Sequence, residues 1–273
     1  MSQYRELLPI AVEAVRRAAE AMRHRSPGSL TIKSDRDLAS DLDFTIERDV
    51  RAFLAAETPG IGFLGEEEGS TGPAEMRWVL DPIDGTANFL RGLPMCAVSL
   101  ALVHHDDAVV GIIELPFLGS RYTAAKDGGA YANGRKLTAS STIRLNDAIV
   151  ALGDYAVGSD AAAKNRLRLA LTAQLAAEVQ RVRMTGSAAL DLAWLAEGKL
   201  DAALTMSNHA WDMAAGVVVA REAGAIVLDG NGTTHTSHST VTLAVAPSLK
   251  EPILGIYQKV ALAVETEEGR TWL

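Results

Sequence analysis

Apolar positions in the first part of the chain recur with the period of an α-helix. Leu7, Leu8, Ala11, Ala14, Val15, Ala18 and Met22 share one face, with Arg16, Arg17 and Glu20 off it. Pro9 suits a helix start or bend, and Ser26-Pro27-Gly28 closes the segment. The polar run 31–41 leads into a second predicted helix near 43–56, whose apolar side carries Ile46, Val50, Phe53 and Leu54. The middle of the chain changes to strand-like runs. Residues 78–80 form a short apolar strand, and 97–103 and 108–114 flank the turn His104-His105-Asp106-Asp107 as a hairpin. Strands at 121–125 and 129–137 follow, the second turning at Asn133-Gly134.

Beyond about residue 146 strands alternate with helices. The pattern predicts strands at 148–153, 200–205, 225–228 and 241–246. Helices fall around 160–177, at 187–197 (stopped by Gly198), at 211–224 (closed by Gly224) and at the end of the chain. No repeat or low-complexity linker interrupts it. The expected class is α/β, in two halves, 1–145 and 146–273.

Composition narrows the partners more than the fold. The 273 residues are 48% hydrophobic and 22% charged, an ordinary globular balance, with a net charge of -8. An acidic surface repels nucleic acid and anionic membrane, so the expected partner is a small molecule, with no nucleic acid and no membrane. The lone Cys96 allows neither a disulfide framework nor a thiolate metal site. Arg and Glu interrupt the apolar runs of the N-terminus, and no run approaches a membrane span of ~18 residues, which makes the cytoplasm the expected compartment.

The densest chemistry lies at 78–94, WVLDPIDGTANFLRGLP. A strand delivers Asp81, Pro82 fixes a turn and Asp84 follows three residues later. Two carboxylates on one rigid turn suit Mg²⁺, and the Gly85 and Thr86 amides at a helix start suit an anion. Taken alone, the same residues also fit an acidic surface turn. Glu66, Glu67 and Glu68 sit between glycines at 65–69, which alone would be a solvated loop. Asp212 opens an apolar helix in AWDMAAG, where alone it would answer the helix dipole.

Together, GEE, DPIDGT and a late helix-opening WD resemble the inositol monophosphatase family in order and separation. The resemblance extends over nearly the whole chain and includes 33–43, 183–204 and the DGNG turn. It implies a layered α/β/α/β/α sandwich, a homodimer, and Mg²⁺-dependent, Li⁺-sensitive hydrolysis of a small phosphate monoester by metal-activated water. It assigns one Mg²⁺ to Glu66, Asp81 and the Ile83 carbonyl, and a second to Asp81, Asp84 and Asp212. A third, weaker ion occurs in some relatives. Thr86 paired with Asp43 would orient the water, with Glu66 joining them in catalysis. Lys33 would stand near the metals, Gly85, Thr86, Gly186 and Ser187 would receive the phosphate, and Thr205 and His209 would meet the rest of the substrate.

One position departs from the family pattern. Inositol-specific members carry an acid six residues before the WD tryptophan, and this chain has Thr205. Sugar phosphates, histidinol phosphate and phosphorylated intermediates of secondary metabolism therefore stay open beside inositol phosphate. A nucleotide bisphosphate phosphatase and a non-catalytic regulatory protein on the same fold are the alternative readings. Asp81 and Asp84, three apart, do not make the DxDx[TV] of a haloacid-dehalogenase phosphatase, and the acidic segment 35–43 lacks the Gly and terminal Glu of an EF-hand. Ser187 sits outside a GxSxG elbow, and no Walker A is present. His235 and His238 are expected in a solvated loop, His104 and His105 in a turn.

Overall fold

The computed structural model describes residues 3–34, 37–206 and 208–270. A helical turn at Gln3–Leu7 runs into α1 (Leu8–His24), with Pro9 in its first turn. The polar run that follows is itself a hairpin, β1 (Leu30–Ser34) and β2 (Asp37–Ser40). α2 (Asp41–Glu57) starts where Asp43 Oδ2 accepts from the Ser40 amide at 2.9 Å and from its hydroxyl at 2.5 Å.

An eight-stranded sheet comes next, from β3 (Gly62–Gly65), β4 (Gly69–Thr71), β5 (Met76–Asp84), β6 (Ala97–His104), β7 (Asp107–Leu115), β8 (Ser120–Ala125), β9 (Ala130–Ala132) and β10 (Arg135–Lys136). Its order is β10-β9-β8-β7-β6-β5-β3-β4, and β3–β5 is its parallel pair. The short α3 (Thr86–Leu90) leaves the end of β5.

The rest of the chain runs β11 (Ile149–Leu152), α4 (Ala161–Glu178), β12 (Arg181–Arg183), α5 (Ala188–Ala196), β13 (Ala202–Thr205), α6 (Ala210–Glu222), β14 (Ile226–Leu228), β15 (Thr242–Val245) and α7 (Lys250–Arg270). Its sheet has the order β12-β11-β13-β15-β14, with β11 parallel to both neighbours.

Period-2 alternation explains the layering. On β6, Val98, Leu100 and Leu102 pack on α1 and α2, while Ala97, Ala101 and Val103 face α5 and α6. On β11 and β13, Ala151 and Ala203 face the same two helices, while Val150, Leu152, Ala202 and Leu204 face α4 and α7. The result is helix, sheet, helix, sheet, helix, the five-layer sandwich expected. The central layer is packed by small residues. A Cβ on Gly216 would lie 2.3 Å from Leu192 of α5, and one on Gly111 would lie 2.5 Å from the Ala215 carbonyl. α6 is thereby pressed against both α5 and β7. Its first turn carries Asp212, so the packing sets where that carboxylate stands. Among the described residues no helix is long and apolar enough to cross a membrane.

Candidate active site

The two aspartates of DPIDGT are brought to one side by an irregularity in β5. Asp81 pairs with Ser99 and Asp84 with Ala97, three steps on β5 against two on β6. In a regular strand, residues three apart point to opposite faces, and the extra residue restores a common side. Asp81 Oδ1 accepts from the Ile83 amide at 3.0 Å, which rigidifies the turn. Gly85 then adopts φ +87°, and a Cβ there would lie 3.0 Å from the carbonyls of both Gly186 and Met95. Glycine is required on both counts.

Glu66 lies beside this turn because its amide donates to the Leu80 carbonyl at 3.3 Å. A residue not singled out from the sequence shapes the glutamate turn. Glu47 of α2 is fully buried, accepts from the Glu67 and Glu68 amides at 2.8 and 3.0 Å, and pairs with Arg51 at 2.6 Å. Its signal in the sequence is a glutamate next to Ile46 on the apolar side of α2. Lys33 reaches Glu66 at 2.7 Å and Glu67 at 2.6 Å.

The carboxylates influence one another strongly. Burial, then Glu66, Asp84 and Asp212, pushes Asp81 well above the usual range. Burial, then Asp84 and Glu66, does the same to Asp212. Burial lifts Asp84 to about 6 against the hydrogen bonds it accepts, and lifts Glu67 to about 7 against Lys33. Burial also raises Asp43, whose Oδ1 is buried without a hydrogen-bond partner. Asp81, Asp84 and Asp212 form no ion pair among the described residues.

Across the cleft, Gly186 (φ +77°) turns the chain into α5 and Ser187 caps that helix, its hydroxyl accepting from the Leu190 amide at 3.2 Å. Asp84 accepts from the Ser187 hydroxyl at 2.5 Å and from the Ala189 and Ala188 amides at 2.7 and 3.3 Å. Beneath, Asp191 is buried, accepts from the Thr185 hydroxyl at 2.7 Å, and is lifted by burial to about 8. It was not singled out either, although it lies four residues past Ser187 in the same motif. Asp84, Gly186, Ser187, Thr205, His209 and Asp212 line one open cleft of about 440 Å³ with Asp154, Tyr155, Lys164 and Arg168.

Some expected arrangements differ. Thr86 and Asp43 share no hydrogen bond: the Thr86 hydroxyl donates to the Ile83 carbonyl at 3.0 Å, while Asp43 is held by Ser40. His235 is buried rather than solvated, bonded to Thr242 at 2.8 Å and to Asn208 at 3.3 Å. Those bonds direct Asn208 into another cavity, away from Thr205. His209 is exposed and stacks on Trp211, ring centroids 4.9 Å apart.

The family model for the inositol monophosphatase family matches residues 3–262. The chain belongs to the inositol monophosphatase family. It is 38% identical over 234 residues to inositol-1-monophosphatase ImpA of Mycolicibacterium smegmatis, covering 85% of this chain and 84% of the relative. Identity to the inositol-1-monophosphatase of Mesorhizobium japonicum is 35% over 262 residues, covering 90% and 97%. The solved structure of the extragenic suppressor protein suhB from Bartonella henselae superposes with a TM-score of 0.87 at 30% identity, covering 93% of this chain and 99% of that one. The acidic cluster at the end of β5 therefore lies within a phosphatase family's fold, and the matched region spans every residue of the cleft.

Proposed function

We propose that the chain is a Mg²⁺-dependent phosphatase acting on a small phosphate monoester. The observation that carries this reading is the convergence of Asp81, Asp84 and Asp212, whose carboxyl groups are raised by burial and by one another, with Glu66 beside a glycine-rich helix start. The donor set fits a hard divalent cation, because it is all oxygen and includes the orphan Asp43 Oδ1 nearby. Glu66, Asp81 and the Ile83 carbonyl would hold one ion, and Asp81, Asp84 and Asp212 a second. When bound, Mg²⁺ lowers the pKa of a coordinated water and neutralises charge on the phosphate.

The protein's own groups do the rest. The Ala188 and Ala189 amides, at the N-terminus of a nine-residue helix, hold the Asp84 carboxylate in place as a ligand. The close Gly85–Gly186 contact would let main chain approach the phosphate without a side chain between them. Thr86 and Asp43, though not bonded to each other, would order a water nucleophile next to Glu66, Asp43 through its unpartnered Oδ1. Lys33 limits repulsion among the glutamates. Thr205, Asp154, Tyr155 and His209 at the cleft rim meet the alcohol portion.

The test is phosphate release from a panel of esters with Mg²⁺, with excess chelator, and after Mg²⁺ is restored. Release that is lost and regained supports the reading, and full turnover under chelation overturns it. Gel filtration with light scattering tests the homodimer.

A further inference from the structure

The opposite end of β5 carries a second group of potential ligands. Glu75 precedes the strand, and His104 and His105 close β6 at the β6–β7 turn. One ring nitrogen of each histidine and one Glu75 oxygen lie within 4.8 Å of one another. Glu75 Oε1 is 4.0 Å from His104 Nε2 and 3.9 Å from His105 Nε2. We propose that Glu75, His104 and His105 form a binding site for a borderline transition-metal ion of the Zn²⁺ class, separate from the catalytic acids.

Three features support it besides proximity. His104 Nδ1 is 2.7 Å from the Tyr4 hydroxyl. In the tautomer whose Nδ1–H donates to that oxygen, Nε2 keeps its lone pair toward Glu75, the outer-shell arrangement that orients histidine ligands. Second, His105 takes φ +53°, a left-handed conformation disfavoured for a residue with a Cβ, and its amide is tied to the Glu75 carbonyl at 2.6 Å. The chain is thus bent so that both imidazoles, 4.5 Å apart at their centroids, sit against Glu75. Third, the carboxylate lies close to bonding distance, and the exposed His105 ring, now stacked at 20° on His104, has to turn for both lone pairs to converge. Donors around a tetrahedral ion with bonds of about 2.0–2.1 Å stand ~3.3 Å apart, so the carboxylate closes by about 0.6 Å, within reach of an exposed glutamate.

Two imidazoles with one carboxylate select Zn²⁺, Ni²⁺ or Co²⁺ over Mg²⁺, whereas the all-oxygen cluster prefers Mg²⁺. Six residues of extended chain, ~20 Å, separate Glu75 from Asp81, so one ion cannot serve both. Three protein donors leave a position for water.

The experiment titrates Zn²⁺, and separately Co²⁺, into the full chain with Mg²⁺ in large excess. The expected result is one Zn²⁺ equivalent whose affinity falls at least tenfold in His105→Ala and in Glu75→Gln. The visible bands of tetrahedral Co²⁺ should be lost in the same variants. Both residues are exposed, and Mg²⁺-dependent phosphate release should stay unchanged in both. Equal Zn²⁺ affinity in wild type and variants, or no Zn²⁺ binding, overturns the proposal.

Discussion

The Ser187 hydroxyl donates to the Asp84 carboxylate at 2.5 Å, joining the end of β5 to the start of α5 across 103 positions of sequence. The same carboxylate takes the Ala188 and Ala189 amides, so one acidic side chain answers the N-terminus of α5. Ser187→Ala removes both this donor and the cap on the Leu190 amide. The expected cost is about 1–2 kcal/mol of stability, read from denaturant unfolding at constant slope.

Asp84→Asn should abolish nearly all turnover while leaving the fold intact. It keeps the turn's shape but removes one charge from the group that would hold two cations. A folded variant retaining more than roughly a tenth of wild-type kcat, a barrier change under ~1.4 kcal/mol, would exclude Asp84 as a ligand.

His235 makes stability acid-sensitive. Burial, with a contribution from Arg221, lowers it from 6.5 to about 4. The unfolded chain then binds the proton more readily than the folded one between those values. Stability is complete above about 6.5 and is lost as pH falls toward 4. In His235→Gln this limb should flatten, at some cost in stability near pH 7. An unchanged acid limb in melting temperature against pH would dismiss the histidine as its source.

Gly85→Ala should be poorly tolerated, since the new methyl meets two carbonyl oxygens at 3.0 Å on a left-handed backbone. The expected loss is ~2 kcal/mol or more, with activity falling further than stability. Thermal melts beside kcat measurements check both parts.

Thr205 should turn the cleft away from inositol phosphate, because a hydroxyl offers weaker contacts to substrate hydroxyls than a carboxylate does. In a comparison of kcat/KM across sugar, amino-alcohol and inositol phosphates, the inositol ester should rank low. Thr205→Glu should raise it selectively with the Mg²⁺ requirement unchanged. An inositol ester preferred by a wide margin in the wild type would rule out this role.

How much of this could be read from the chain alone follows from where polar residues sit. The β5 turn was legible because an apolar strand runs straight into two acids and a glycine. The β6–β7 hairpin was legible from two apolar runs around HHDD. The five layers came from the resemblance, since periodicity fixes elements and not their stacking. The β1–β2 hairpin was missed because its polar run has no alternating face to bury. Glu47, Asp191 and His235 escaped because a polar letter reads as solvent-facing. Each is buried by bonds to residues distant in sequence or hidden in a turn: Glu47 to the Glu67 and Glu68 amides, Asp191 to Thr185, His235 to Thr242.

Gly85 approaches the Gly186 carbonyl through main chain alone, so this turn beside the cleft has no side chain to exchange. Substitution there can only break the site. The rim is different: Asp154 and Tyr155 follow β11, Thr205 ends β13 and His209 precedes α6, and none of the four anchors a buried layer. An engineer seeking a new leaving group would leave that turn untouched and vary these four positions, with the chemistry carried along unchanged.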